Sequence, residues 1–141
     1  MKKRLFSIAV LTIFTTLLTL SGTLFAQQEN ETDIKIINVQ EANKLIEENS
    51  ENSEFVILDV RTIEEHESGH IPDSANINYK SPKFKEEVNK LDKEKIYLTY
   101  CRSGMRSTKS AERMKELGFE NIYMIDGGIV AWNSAGLPIK N

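Results

Sequence analysis

The chain has 141 residues, 40% of them hydrophobic and 28% charged, which gives room and apolar content for one domain with a single core. This composition excludes collagen-like and disordered chains. The formal charge of −3 becomes −6 once the three basic residues at the N-terminus are set aside, and so acidic a domain argues against nucleic acid as a partner.

Residues 1–26 open with Lys2, Lys3 and Arg4, continue as an uncharged apolar run and end on the small residue Ala26. That layout reads as a secretory signal peptide and predicts export to a periplasm, the cell envelope or the outside of the cell. Leu24 is bulkier than the residue usual two positions before a cleavage point, and the run is long enough to span a bilayer. An uncleaved anchor is therefore the alternative, and the one route by which a membrane would be a partner. Without Lys2, Lys3 and Arg4 the formal charge falls from −3 to −6. Residues 27–33 read as a polar, flexible lead-in, and 34–141 as the domain.

IKII at 34–37 predicts a first strand. Asn38 followed by Glu41 resembles a capping box, and Val39, Ala42, Leu45 and Ile46 make one apolar helix face behind it. FVILDV at 55–60 and ANINY at 75–79 predict the second and third strands. Ser81 as N-cap, with Pro82 at the first helical position, predicts a helix carrying Phe84, Val88 and Leu91. KIYLTY at 95–100 is the fourth strand. The helix predicted over 106–117 sets Thr108, Ala111, Met114 and Leu117 along one stripe, with Gly118 as a left-handed cap. NIYMID at 121–126 is the fifth strand, and GGIVAWNSAGLP at 127–138 places Ile129 and core Trp132 on one helix side, with Gly136 and Pro138 as stops. Three of the strands are apolar with little alternation, as strands covered on both faces are. The alternation predicts an α/β fold: a central parallel sheet of about five strands, helices on both faces and right-handed crossovers.

Cys101 is the sole cysteine. In an oxidising compartment small domains pair their cysteines, so a lone thiol is either a small buried apolar residue or one kept for its reactivity. Its surroundings, YCRSGMRST at 100–108, favour the second. Cys101 falls at the carboxyl end of a buried strand, in the loop feeding a helix N-terminus, where open α/β sheets bind ligands. Gly104 lets that loop curl with its N–H groups inward as an anion nest, and the helix terminus adds partial positive charge. Arg102 and Arg106 add full charges; Ser103, Ser107 and Thr108 add hydroxyl donors. All favour a thiolate, so the pKa should fall below that of a free thiol. Arginines near a helix N-terminus are unfavourable unless they face an anion. His66 and His70 lack the companions of a tetrahedral set, so no metal is expected, and His70 reads as structural in the GHIP turn.

LDVRTIEEHESGHIPDSANI at 58–77, YCRSGMRS at 100–107 and DGGIVAWNSAGLP at 126–138, in that order, resemble the rhodanese-type sulfurtransferase family over nearly all of the chain after residue 33. The family pattern has glycine where this chain has Asp73. The resemblance implies a single-domain, rhodanese-like fold and a thiosulfate sulfurtransferase-like activity. Cys101 would take a sulfane sulfur as a persulfide and pass it to cyanide or a thiol, with no metal or organic cofactor. Arg102, Ser103, Gly104, Met105, Arg106 and Ser107 would form the substrate loop, and Asp59 and Arg61 would brace it, unless they are an ordinary ion pair at a strand end. Partners would be small sulfur anions or thiols, including a protein thiol, and no exposed apolar pattern speaks for more than a monomer. The competing readings are a sulfane-sulfur carrier or redox-sensing module without turnover, and a phosphatase or arsenate reductase. The phosphatase signature needs five residues between cysteine and arginine, whereas four separate Cys101 from Arg106.

Overall fold

The computed structural model describes residues 33–141. The signal-peptide expectation for 1–26, and the lead-in except Asp33, lie outside the described residues. Five parallel strands alternate with helices along the chain. The strands are β1 (Ile34–Ile37), β2 (Phe55–Asp59), β3 (Ala75–Asn76), β4 (Ile96–Tyr100) and β5 (Asn121–Ile125). The helices are α1 (Val39–Glu48), α2 (Ile63–Glu67), α3 (Phe84–Asn89), α4 (Met105–Glu116) and α5 (Gly128–Ser134). The sheet order is β1-β5-β4-β2-β3, every pairing parallel.

Successive strand residues point to opposite faces, and here each face meets its own apolar cluster. Leu58, Val60, Tyr97 and Ile122 pack with Phe84, Val88, Ala111 and Met114 of α3 and α4. Ile57, Leu98, Tyr100 and Ile125 pack with Val39, Ala42, Ile129 and Trp132 of α1 and α5. The doubly covered parallel sheet expected from the sequence is the observed one. Trp132 is core, its Nε1 donating to the Pro138 carbonyl at 2.9 Å. Among the described residues no helix is long and apolar enough to cross a membrane.

Local chemistry explains most element ends. The Asn38 side chain accepts from the Gln40 and Glu41 amides while Glu41 reaches back to the Asn38 amide, so the predicted capping box is real. Gly118 donates to the Lys115 carbonyl and Phe119 to the Met114 carbonyl, the two bonds of a Schellman end for α4. Three expectations need correction, and one helix is additional. β3 stops at Asn76, not Tyr79, because its partner β2 ends at Asp59, with which Asn76 is in register. Ser81 and Pro82 form a turn ahead of α3: the Ser81 hydroxyl accepts from Lys83 N and its carbonyl from Phe84 N, so the helix starts later. The buried stripe of α4 runs through Ser107, Ser110, Ala111 and Met114, leaving Thr108 exposed. α2 was not expected at all; it has no buried residue and is set by a Thr62–Glu65 capping box. Asp73, where the resembled pattern has glycine, holds φ +63°, a conformation that aspartate tolerates better than most side chains.

From β2 the chain turns outward to β3, and from β4 it turns the other way to β5. The carboxyl ends of β2 and β4 thus flank the point where connections diverge, which is where open α/β sheets leave a crevice. Thr62 with α2 and Cys101 with its loop both lie there.

Candidate active site

Cys101 follows β4 directly and is buried, with 1% of its surface exposed. One side of it belongs to the apolar cluster with Leu58, Val60 and Met114. The other side is polar: Gly104 N donates to Sγ at 3.1 Å and the Ser107 hydroxyl lies at 3.5 Å. Gly104, at φ +110°, precedes α4 with no side-chain cap. The sulfur takes that place, accepting from the Gly104 amide, while the Ser103 and Ser107 backbone N–H groups also favour its charged form, so amides left over at a helix start are spent on it. Burial pushes the thiol up, but the Ser107 hydroxyl and these three backbone donors outweigh it, and the pKa falls below the ordinary thiol value.

The rest of the loop divides sharply. Arg102 and Ser103 are exposed, as is Met105 at 72%. No ion pair of the Arg102 side chain is found among the described residues. Ser107 is buried, and its one hydroxyl proton has the Gly104 carbonyl, at 2.9 Å, as an alternative acceptor to the sulfur. Thr108, expected among the hydroxyl donors at the sulfur, points elsewhere, to the Gly104 carbonyl at 2.9 Å and to Met124 Sδ at 3.4 Å. Arg106, expected to face a ligand, places Nη1 and Nη2 on the Glu65 carboxylate at 2.6 and 2.7 Å. Its hydrogen bonds hold the Glu65 carboxyl down at about 2. The Arg106 pKa is raised in turn, first by Glu65 and further by the nearby Cys101 charge.

Asp59 and Arg61 form a buried pair: Nε and Nη2 of Arg61 reach the carboxylate at 3.0 and 2.6 Å. Asp59 Oδ2 also accepts from the Tyr100 hydroxyl at 2.9 Å and lies 2.9 Å from His66 Nδ1. Arg61 Nη2 donates onward to the Gly69 carbonyl at 2.8 Å. The network ties β2 to α2 and to Tyr100, the residue before Cys101, without touching the sulfur. His70 stacks on His66 with ring centroids 3.9 Å apart and pairs backbone to backbone with Lys140. Among the described residues no cluster of metal-ligating side chains occurs.

A second backbone supports the loop. Ile129 N donates to the Cys101 carbonyl at 2.9 Å and Val130 N to the Arg102 carbonyl at 3.1 Å. Gly128, at φ +56°, permits this approach, since a Cβ there would stand 2.4 Å from the Cys101 oxygen. Sequence reasoning missed Glu65, His66 and Tyr100. The Thr62-x-x-Glu65 pattern was a readable signal for α2, but nothing local links Glu65 to an arginine 41 residues away.

Sheet and loop together define an α/β domain that cradles a cysteine sulfur with backbone amides at a topological switch point. The chain belongs to the rhodanese-like domain family, whose model matches residues 38–135. It is similar to the rhodanese-like domain-containing protein 17 of Arabidopsis thaliana, 31% identical over 79% of this chain and 76% of that one. It is also similar to the thiosulfate sulfurtransferase GlpE of Coxiella burnetii, 35% identical over 57% of this chain and 74% of that one. Among solved structures, a rhodanese-related protein of Thermoplasma volcanium superposes with a TM-score of 0.62 at 29% identity, covering 75% of this chain and 97% of that one.

Proposed function

We propose that the protein is a sulfurtransferase that moves a sulfane sulfur from thiosulfate or a related donor to cyanide or a thiol through a persulfide on Cys101. The supporting observation is the sulfur itself, which accepts from Gly104 N at 3.1 Å and has its pKa lowered despite burial. The Cys101 thiolate attacks the outer sulfur of thiosulfate, and that sulfur's bond to the sulfite group breaks. Sulfite leaves with the electron pair. The negative charge of the thiolate ends on the terminal persulfide sulfur, which the loop amides and Ser107 are placed to hold. Cyanide then removes that sulfur as thiocyanate and restores the thiolate. No metal or organic cofactor enters this scheme, because the covalent persulfide is the intermediate.

Arg102, Ser103, Gly104, Met105, Arg106 and Ser107 form the donor-binding loop in this reading, and a donor enters past the exposed Arg102 and Met105. Asp59 and Arg61 position it through Tyr100 and α2. Small sulfur anions and thiols, a protein thiol among them, are the proposed partners of a monomeric domain. The basic, then apolar, N-terminal segment supports export as its location.

The near-complete burial of Cys101 favours a second reading, a carrier loaded once and emptied by a partner. Mass spectrometry after incubation with thiosulfate separates the two. Sulfur transfer predicts an adduct of one sulfur atom, absent in Cys101→Ser, removed by cyanide with catalytic thiocyanate production. One loading without turnover indicates the carrier, and no adduct with any sulfane donor rejects both.

A further inference from the structure

Glu65 lies outside the loop, yet its carboxylate takes both terminal nitrogens of Arg106, at 2.6 and 2.7 Å. Arg106 stands in the first turn of α4, directly before Ser107, whose hydroxyl lies 3.5 Å from the sulfur. The carboxylate cannot readily swing aside. Glu65 Oε2 also accepts from Thr62 N at 3.1 Å, closing the α2 capping box, and His66 of α2 lies 2.9 Å from the buried Asp59 carboxylate. A fixed negative charge therefore cancels that of Arg106, one of the two guanidinium groups the loop carries. Arg102, exposed, and the loop amides remain. Coulombic attraction scales with the charge of the incoming donor, so losing one positive charge penalises a dianion about twice as much as a monoanion.

We propose that Glu65 is a specificity-determining residue that turns the Cys101 cradle away from dianionic sulfur donors and towards monoanionic ones, such as organic thiosulfonates and hydropersulfides. This rests on the sulfur-transfer reading. With an alkanethiosulfonate, the Cys101 sulfur bonds to the donor's terminal sulfur. The bond from that sulfur to the sulfonyl group breaks, and a sulfinate leaves with the electron pair and the donor's single charge.

The test compares kcat/KM for thiosulfate and for methanethiosulfonate, cyanide being the acceptor, in the unaltered full chain and in Glu65→Gln. Glutamine at this position can still close the capping box, and the ratio of the two donors does not depend on the fraction of protein folded. The expected result is a rise in the thiosulfate-to-methanethiosulfonate ratio of about three- to tenfold, the size of one partly screened charge, carried by KM for thiosulfate. Arg106→Gln, which leaves the carboxylate without its cation, moves the ratio the opposite way. An unchanged or lower ratio in Glu65→Gln overturns the inference, because Glu65 would then merely position Arg106 for both donors. Turnover of neither donor by the unaltered protein overturns the sulfur-transfer reading, and the inference with it.

Discussion

Gly128→Ala probes how closely the closing segment is fitted to the catalytic loop. Its φ of +56° lies in the left-handed region, which costs a residue with a Cβ about 1–2 kcal/mol. The added Cβ would also lie 2.4 Å from the Cys101 oxygen, 2.7 Å from the Arg102 oxygen and 2.8 Å from the Arg102 carbonyl carbon. All three are backbone atoms, so relief requires the loop or α5 to move, at roughly 1–3 kcal/mol for forced overpacking. Gly136 isolates the first cost, since it has φ +68° but nothing within 4 Å of its Cβ position. Thermal unfolding of Gly128→Ala and Gly136→Ala side by side should show the former lower by an additional ~4–12 °C, taking about 4 °C per kcal/mol for a domain of this size. Sulfur loading of Cys101 should slow in Gly128→Ala and stay unchanged in Gly136→Ala. Equal melting losses with equal loading rates would refute the claim that α5 is seated on the loop backbone.

Three further outcomes follow from the charges around the site. Asp59→Asn removes the counter-charge of buried Arg61 and should cost about 3–5 kcal/mol in denaturant unfolding; a loss below about 1 kcal/mol would mean the network is dispensable. Arg102→Ala should leave stability within about 0.5 kcal/mol while raising KM for thiosulfate several-fold, and an unchanged KM would remove Arg102 from anion binding. Glu65 has a folded pKa of about 2, depressed from 4.5, so its contribution is complete above pH 4.5 and is lost as pH falls towards 2. The stability gap between the unaltered protein and Glu65→Gln, about 1 kcal/mol or less for a partly exposed pair, should be constant from neutral pH to about 5 and then close. A gap flat down to pH 2 would contradict the ion pair.

The sheet was legible because its three central strands, β2, β4 and β5, are largely covered on both faces and so read as apolar runs, IYLTY of β4 above all. The start of α1 was legible because the Asn38 side chain caps it, whereas that of α3 was misplaced, its N-cap Lys83 making no side-chain cap bond. α2 escaped because five residues with no buried side chain carry no apolar period. The loop itself could be read from Cys101, Gly104 and Ser107, since backbone amides do the holding and only the glycine, hydroxyl and helix start need to be seen. Arg106 could not be placed, because its partner Glu65 arrives from another strand's connection. The same holds for Asp59, which meets Tyr100 only through the pairing of β2 with β4.

The rate at which Cys101, the chain's one thiol, is alkylated should be followed against pH. The hydrogen bonds from Ser107, Gly104 and Ser103 predict a midpoint below that of an unperturbed thiol alkylated under the same conditions, and an upward move in Ser107→Ala. A midpoint at or above the unperturbed value would mean that burial wins over those donors, and would leave sulfur transfer without its nucleophile.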